Sequence, residues 1–453
     1  MKASQILLLL ALPFFPERLQ AATNDVAAEL LRYNLRTTVE VYDKAGRKNP
    51  KWDAQAKACL KAFAEIRSAT NGVPTGLLAE LKRNLPGVMA LNCDDPMLRY
   101  LHTRYVLNAS AAELAPVFTD VASALEKSDY PPIRKFYARM WVYRTTAEAG
   151  TEKNPYSLLE KAAPFLAEAL QDKTMPQQEA ATCCAELMNA PWWSDPARWN
   201  CYRILEPALT NNWKNSSFAQ LARGRGYLTY GWEARGTGYA GTVSNQGWKL
   251  LAERLDIAAE SLEKAWQLDP HDPDTCLEMM RVELGQGKDH ERLETWFRRG
   301  MRLNPASWNI CYAKVEYLRP RWYGTIPEMI AFGWECMTNA DWSGEVRLGL
   351  ANTYYEVARE MPDKEKMYAY LAKTNVWSDI RSNFEYFFKL YPNEAGYRHN
   401  YAQFARYAGD WAEFMRQVRM FPSTNFAYFG GVERFNQFLD IARQHSQPEK
   451  EER

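Results

Sequence analysis

Nearly every segment beyond residue 22 carries apolar residues spaced three and four apart, and no convincing stretch alternates apolar with polar. A period near 3.6 marks an amphipathic helix, whereas a period of two would mark a half-buried strand. In "PPIRKFYARMWVYRTTAEAG", Ile133, Phe136, Met140 and Tyr143 fall on one face and Gly150 is placed to stop the helix. In "AERLDIAAESLEKAWQLDP", Leu255, Ala258, Ala259, Leu262, Ala265 and Trp266 form another stripe, ended by Pro270. Roughly twenty such helices joined by short turns fill the chain, which makes it all-α. A helical hairpin cannot bury its own apolar stripe, so hairpins of this kind must stack into one continuous core, each touching only its neighbours.

Spacing sharpens this expectation. "LDP" at 268–270 returns as "LNP" at 303–305, an offset of 35 residues, and a related "LYP" stands at 390–392. Between the first two, a pair of helices breaks at Gly285-Gln286-Gly287-Lys288-Asp289. This stretch resembles the tetratricopeptide repeat. Counting back from Pro305, Leu277, Met280, Leu284, Leu293 and Phe297 take its apolar positions and Gly300 its late small position, while Arg281 stands where an early small residue is expected. Ala258 and Ala265 fit the later small positions of a half-repeat ending at Pro270. Four further stretches look like an uncharacterised exported bacterial family of helical-repeat proteins: "YDKAGRKNPKWDAQAKACLKAF" (42–63), "CDDPMLRYLHTRY" (93–105), "ARGTGYAGTV" (234–243) and "YLRPRWYGTIPEMIAFG" (317–333). The resemblances imply a TPR-like α-solenoid of stacked helical hairpins, and the second leaves activity open. The expected organisation is a signal peptide at 1–22, a helical repeat region at 23–210, a Trp/Gly-rich junction at 211–247, a TPR-like region at 248–445 and a polar tail at 446–453.

The N-terminus begins with Lys2, an apolar run from Ile6 to Phe15 too short to span a bilayer, and a cleavage site at Leu19-Gln20-Ala21. Export to the periplasm or beyond the cell is therefore expected, with no membrane span afterwards. The 56 basic and 55 acidic residues leave a net charge of +1, which offers no field for nucleic acid. Eight cysteines show no C-x-x-C, and a chain of 453 residues needs no staples, so buried free thiols are expected. Cys276 and Cys311, 35 residues apart, should occupy equivalent core positions on successive first helices. Five histidines form no H-E-x-x-H and no Cys/His cluster, so no metal is expected.

"GTGYAGTV" at 236–243 matches the spelling of a phosphate-binding loop, yet a helical pattern precedes it and one long helical pattern follows. Nucleotide loops need a strand before them. No cofactor is expected, and the seven glycines between 224 and 247 read as an irregular loop between two helical halves. Two segments offer arginine beside aromatics, suited to a carboxylate, a peptide or a sugar face. They are Trp232, Arg235 and Tyr239 in the first, and Arg319, Arg321, Trp322 and Tyr323 in the second. The same arginines could instead tie down loop carbonyls. "NAPWWSDPARWNCY" (189–202) could serve as a sugar platform, or, more in keeping with a solenoid, seal helix ends. Asp94-Asp95 and Asp272 with Asp274 read first as helix N-caps. No catalytic residue is assigned. The leading reading is an exported, non-catalytic scaffold binding a protein or peptide on a concave face. The alternative is a carbohydrate-binding or glycan-processing all-α protein, which would show a row of exposed tryptophans and a carboxylate pair about 5–10 Å apart.

Overall fold

The computed structural model describes residues 24–445 apart from 71 and 288, and the regular structure among the described residues is entirely helical. The expected signal peptide and the polar tail lie outside them. Contacts divide the chain into two compact units that meet at 270/271 in sequence.

The first unit contains α1 (Asn24–Arg36), α2 (Val39–Ala45), α3 (Asp53–Ser68), α4 (Thr75–Ala90), α5 (Pro96–Tyr105), α6 (Ala111–Glu126), α7 (Pro132–Ala149), α8 (Ser157–Ala169), α9 (Gln177–Asn189), α10 (Pro196–Asn212), α11 (Ser217–Arg235) and α12 (Asn245–Leu268). The second contains α13 (Pro273–Gln286), α14 (His290–Leu303), α15 (Trp308–Tyr317), α16 (Ile326–Thr338), α17 (Gly349–Ala358), α18 (Lys364–Leu371), α19 (Thr374–Leu390), α20 (Arg398–Ala408), α21 (Trp411–Val418) and α22 (Val432–His445). Within each unit a helix packs mainly on the next or the next but one: α6 on α7, α7 on α8, α8 on α10, and α13 on both α14 and α15. This is the all-α packing of stacked helical hairpins.

Local chemistry sets the boundaries. Asp95 caps α5, accepting from the backbone N–H groups of Met97 and Leu98 at 3.0 and 3.2 Å. Asp272 caps α13 through Asp274 N at 3.1 Å, and Gly287 ends the same helix at φ 58°. Such caps are worth about 1 kcal/mol each. The acidic pairs in the sequence are thereby accounted for: Asp95 is a fully buried cap, and exposed Asp94 pairs with Arg47 at 3.0 Å.

The glycines divide differently from the sequence expectation. Gly224, Gly226 and Gly231 lie inside α11 and Gly247 inside α12, so only Gly236, Gly238 and Gly241 belong to the loop. A Cβ at Gly224 would stand 2.5 Å from Leu262 of α12, and one at Gly226 would stand 2.5 Å from the Tyr202 ring of α10. These glycines let α11 settle closely between two neighbours. Gly300 plays the same part at the repeat position, with a Cβ there falling 2.9 Å from Ile310 and 3.2 Å from Cys276.

Strict neighbour-only packing fails in the first unit. Buried Arg134 of α7 donates to Asn34 of α1 at 2.6 Å and to Thr37 just beyond it. Arg67 of α3 meets Tyr137 of α7 and pairs with Glu179 of α9 at 3.3 Å, while Tyr137 donates to Glu179 at 2.8 Å. Guanidinium groups taken out of water need partners, and here the partners come from helices remote in sequence.

All eight cysteines are buried free thiols. Cys276 on α13 and Cys311 on α15 are both fully buried on helices that pack together. Burial pushes the Cys93 thiol up to about 11 and those of Cys59, Cys184 and Cys276 up to about 12. The folded protein should show no thiol reactive towards Ellman's reagent at about pH 8, and all eight should react once it is denatured. A thiol titrating rapidly in the native state would contradict this packing.

Candidate functional site

The segment that most resembled a phosphate loop joins two helices. Arg235 is the last residue of α11, Gly236 turns the chain at φ 74°, Ala240–Thr242 forms a single 3-10 turn, and Ser244 caps α12 through Gly247 N at 3.0 Å. Gly238 has no positive φ; a Cβ there would strike the Thr242 hydroxyl.

Arg235 folds back over this loop. Its guanidinium donates to the carbonyl oxygens of Gly236 and Gly238, both at 3.1 Å, and lies 5.5 Å from the Trp232 ring and 5.4 Å from the Trp248 ring. The arginine thus takes the second of the two roles the sequence left open, pinning loop carbonyls, and it also contacts two indoles. At the loop's tip Tyr239 is 84% exposed, and Trp248 at the start of α12 is also exposed.

A third tryptophan-rich segment joins them. Trp193 and Trp232 meet edge to face, with centroids 5.4 Å apart and planes at 86°. The Trp193 carbonyl accepts from Thr229 of α11 at 2.6 Å, and Arg198, buried, holds the preceding turn through Met188 O at 2.9 Å. Trp192, next along the chain, is 54% exposed. Segments 189–195 and 232–248 therefore meet through half-buried Trp193 and Trp232, and each segment carries exposed rings beside that contact: Trp192 on one, Tyr239 and Trp248 on the other. The sequence offered both segments but no signal that they meet.

Arg319, Arg321, Trp322 and Tyr323 lie in the second unit and do other work. Arg319 is 2% exposed and pairs with Glu316 at 3.1 Å, Glu360 at 2.7 Å and Glu356. Burial opposes its charge, but the carboxylates of Glu316 and Glu356 outweigh it and hold its pKa above the ordinary guanidinium value. Arg321 pairs with Glu316 at 3.0 Å. The Tyr323 hydroxyl donates to Leu284 O at 3.1 Å, and its ring sits 4.7 Å from Tyr317. This segment fastens the end of α15 to α17 and α13, and Arg319 presents no face to a ligand. Trp322 is half-buried and Tyr323 is 45% exposed.

Of the sixteen tryptophans, only Trp192, Trp248 and Trp334 are exposed, and Trp334 belongs to the second unit. The others pack against neighbours, as Trp199 does on Tyr230 with centroids 4.1 Å apart and rings 5° from parallel. No group of three or more His, Cys, Asp or Glu among the described residues could hold a metal ion, and no described helix is long and apolar enough to cross a membrane.

No family model matches the chain, and no curated protein matches it. Matching solved structures include the human IFIT1 dimer with PPP-AAAA, at 10% identity over 87% of this chain and 78% of that one, with a TM-score of 0.33. So loose an overlap carries no argument about ligand or partner; the fold description rests on the helices and their packing.

Proposed function

We propose that the protein is a non-catalytic helical-repeat scaffold that binds a protein or peptide through the surface made by Tyr239, Trp248 and Trp192. The observation behind this reading is the pinning of Tyr239's loop by Arg235, which donates to Gly236 O and Gly238 O. A ring with two rotatable bonds on backbone already fixed loses little freedom on binding. Aromatic residues beside arginine also supply most interface hot spots. The use of Asp95 and Asp272 as helix caps favours this reading over glycan processing. Export through residues 1–22 is part of the proposal and places the partner in the periplasm or outside the cell.

The test is an affinity series on a captured partner. Tyr239→Ala should weaken binding about tenfold or more with an unchanged melting temperature, as expected for a hot-spot ring. Arg235→Ala should also weaken it while the protein stays folded, because the loop loses its tether. Full affinity in both variants would refute the assignment of this surface.

A further inference from the structure

In the second unit, α19, α20 and α21 enclose a cleft of about 200 Å³. Phe388, Arg398, Tyr401 and Gln417 line its interior, and the more exposed Glu385, Arg416 and Met420 complete it. Its charges are unevenly matched. Glu413 holds Arg416 through two contacts of 2.8 Å, and Glu385 accepts from Arg381 at 3.1 Å. Arg398 finds only the neutral Gln417 Oε1, at 3.0 Å, and no carboxylate among the described residues pairs with it. Its guanidinium lies over the Phe388 ring, 4.2 Å from the centroid. Burial and the neighbouring Arg416 charge outweigh the attraction of Glu413 and hold its pKa below the ordinary guanidinium value, the opposite of the paired Arg319.

Tyr401 adds a second unmet demand. It is 1% exposed, and its ring is stacked on Phe384 with centroids 4.6 Å apart. Its buried hydroxyl has no hydrogen-bond acceptor among the described residues, and the nearby Arg416 guanidinium is a charged neighbour. Arginine can only donate, so the tyrosine proton has no acceptor among the described residues. A buried donor left in that state is costly unless something else enters the cleft to accept. Arg398 and Tyr401 stand three residues apart on α20, a spacing that puts them on one face of the helix.

A single flat, negatively charged acceptor would answer both groups. We propose that this cleft binds a carboxylate carried on an apolar group, with the Arg398 guanidinium pairing to it, the Tyr401 hydroxyl donating to it, and Phe388 and Met420 contacting the apolar part. A phosphate is less favoured than a carboxylate, because Glu385 at the cleft repels its second charge as well as its first. The site lies in the other unit from Tyr239 and does not depend on that surface.

The full-length protein should be titrated calorimetrically with N-acetyl-leucyl-leucine and with the same dipeptide as its C-terminal amide. N-acetyl-leucine, N-acetyl-Leu-Glu-Leu-amide and inorganic phosphate complete the set. The free acid should bind about tenfold or more tighter than the amide. Arg398→Met should abolish that preference. Tyr401→Phe, which keeps the ring stack and removes an unsatisfied hydroxyl, should melt no lower than the parent yet bind the acid severalfold more weakly. Preference for the dipeptide acid assigns the carboxylate to a chain terminus, preference for N-acetyl-leucine to a free small acid, and preference for the glutamate peptide to an acidic side chain. The proposal is overturned if acid and amide bind alike or not at all at millimolar concentration. It is equally overturned if phosphate binds best, or if folded Arg398→Met and Tyr401→Phe both bind as the parent does.

Discussion

Gly226→Val will lower the melting temperature by roughly 6–12 °C, reflecting a cost of about 3 kcal/mol in a unit near 250 residues. The ideal Cβ alone stands 2.5 Å from Tyr202 Cγ and 2.8 Å from Tyr202 Cβ. Those atoms are the root of the ring and cannot swing aside. Tyr202 is 2% exposed, donates to Glu206 at 3.1 Å and packs against Trp199 and Tyr227, so α11 would have to move off α10. Helix propensity pulls the other way by up to about 1 kcal/mol when glycine is replaced inside a helix, and overpacking outweighs it. Gly87→Ala is the control. Gly87 is exposed inside α4, and a Cβ there meets only Gln55 Oε1 at 3.7 Å, so the propensity gain of about 0.5–1 kcal/mol should survive. Opposite signs in differential scanning calorimetry are the expected result; equal signs would mean that α11 does not pack as described.

Glu179→Leu should cost about 3–5 kcal/mol, the penalty for stranding a buried charge. Glu179 is 3% exposed and accepts from Tyr137 at 2.8 Å and from Arg67 at 3.3 Å. Its removal leaves the Arg67 guanidinium, 17% exposed, with a tyrosine as its main companion. Arg67→Met combined with Glu179→Leu should recover most of the loss, since buried pairs exchanged for apolar residues are often neutral. The exposed pair Arg443–Asp440, at 2.9 Å, should contribute less than about 1 kcal/mol. Urea midpoints for the two single variants and the double variant close the cycle, and additive losses would argue against a coupled pair.

What the sequence discloses here is mostly local. The stripe Leu255–Ala258–Leu262–Ala265 is buried on α12, and Asp272, Gly287 and Gly300 sit where cap, stop and small contact were read, because each acts within a turn or within one repeat. The loop glycines were harder. Gly224, Gly226 and Gly231 carry the same letter as Gly236, but the first three serve helix contact and the last serves a positive φ, and only the packed neighbours Leu262 and Tyr202 distinguish them. The same limit applied to Arg235 and Arg319. Both stood beside aromatics, yet Arg319 is consumed by Glu356 and Glu360, about forty residues away. The meeting of Trp193 with Trp232, and of Arg398 with a cleft wall supplied by α21, joins residues that no periodicity connects. The i, i+3 spacing of Arg398 and Tyr401 in "YRHNYAQF" was the one local signal of that cleft.

The most direct test of the pinned aromatic surface is photocrosslinking from position 239. Tyr239 is replaced by benzoylphenylalanine, the protein is irradiated in an extract of its source cells, and the adducts are identified by mass spectrometry, with a glycan array run in parallel. The account predicts a discrete polypeptide adduct that excess unmodified protein suppresses and that excess Tyr239→Ala protein does not. Glycan binding that depends on Tyr239, with no competable polypeptide adduct, would contradict it.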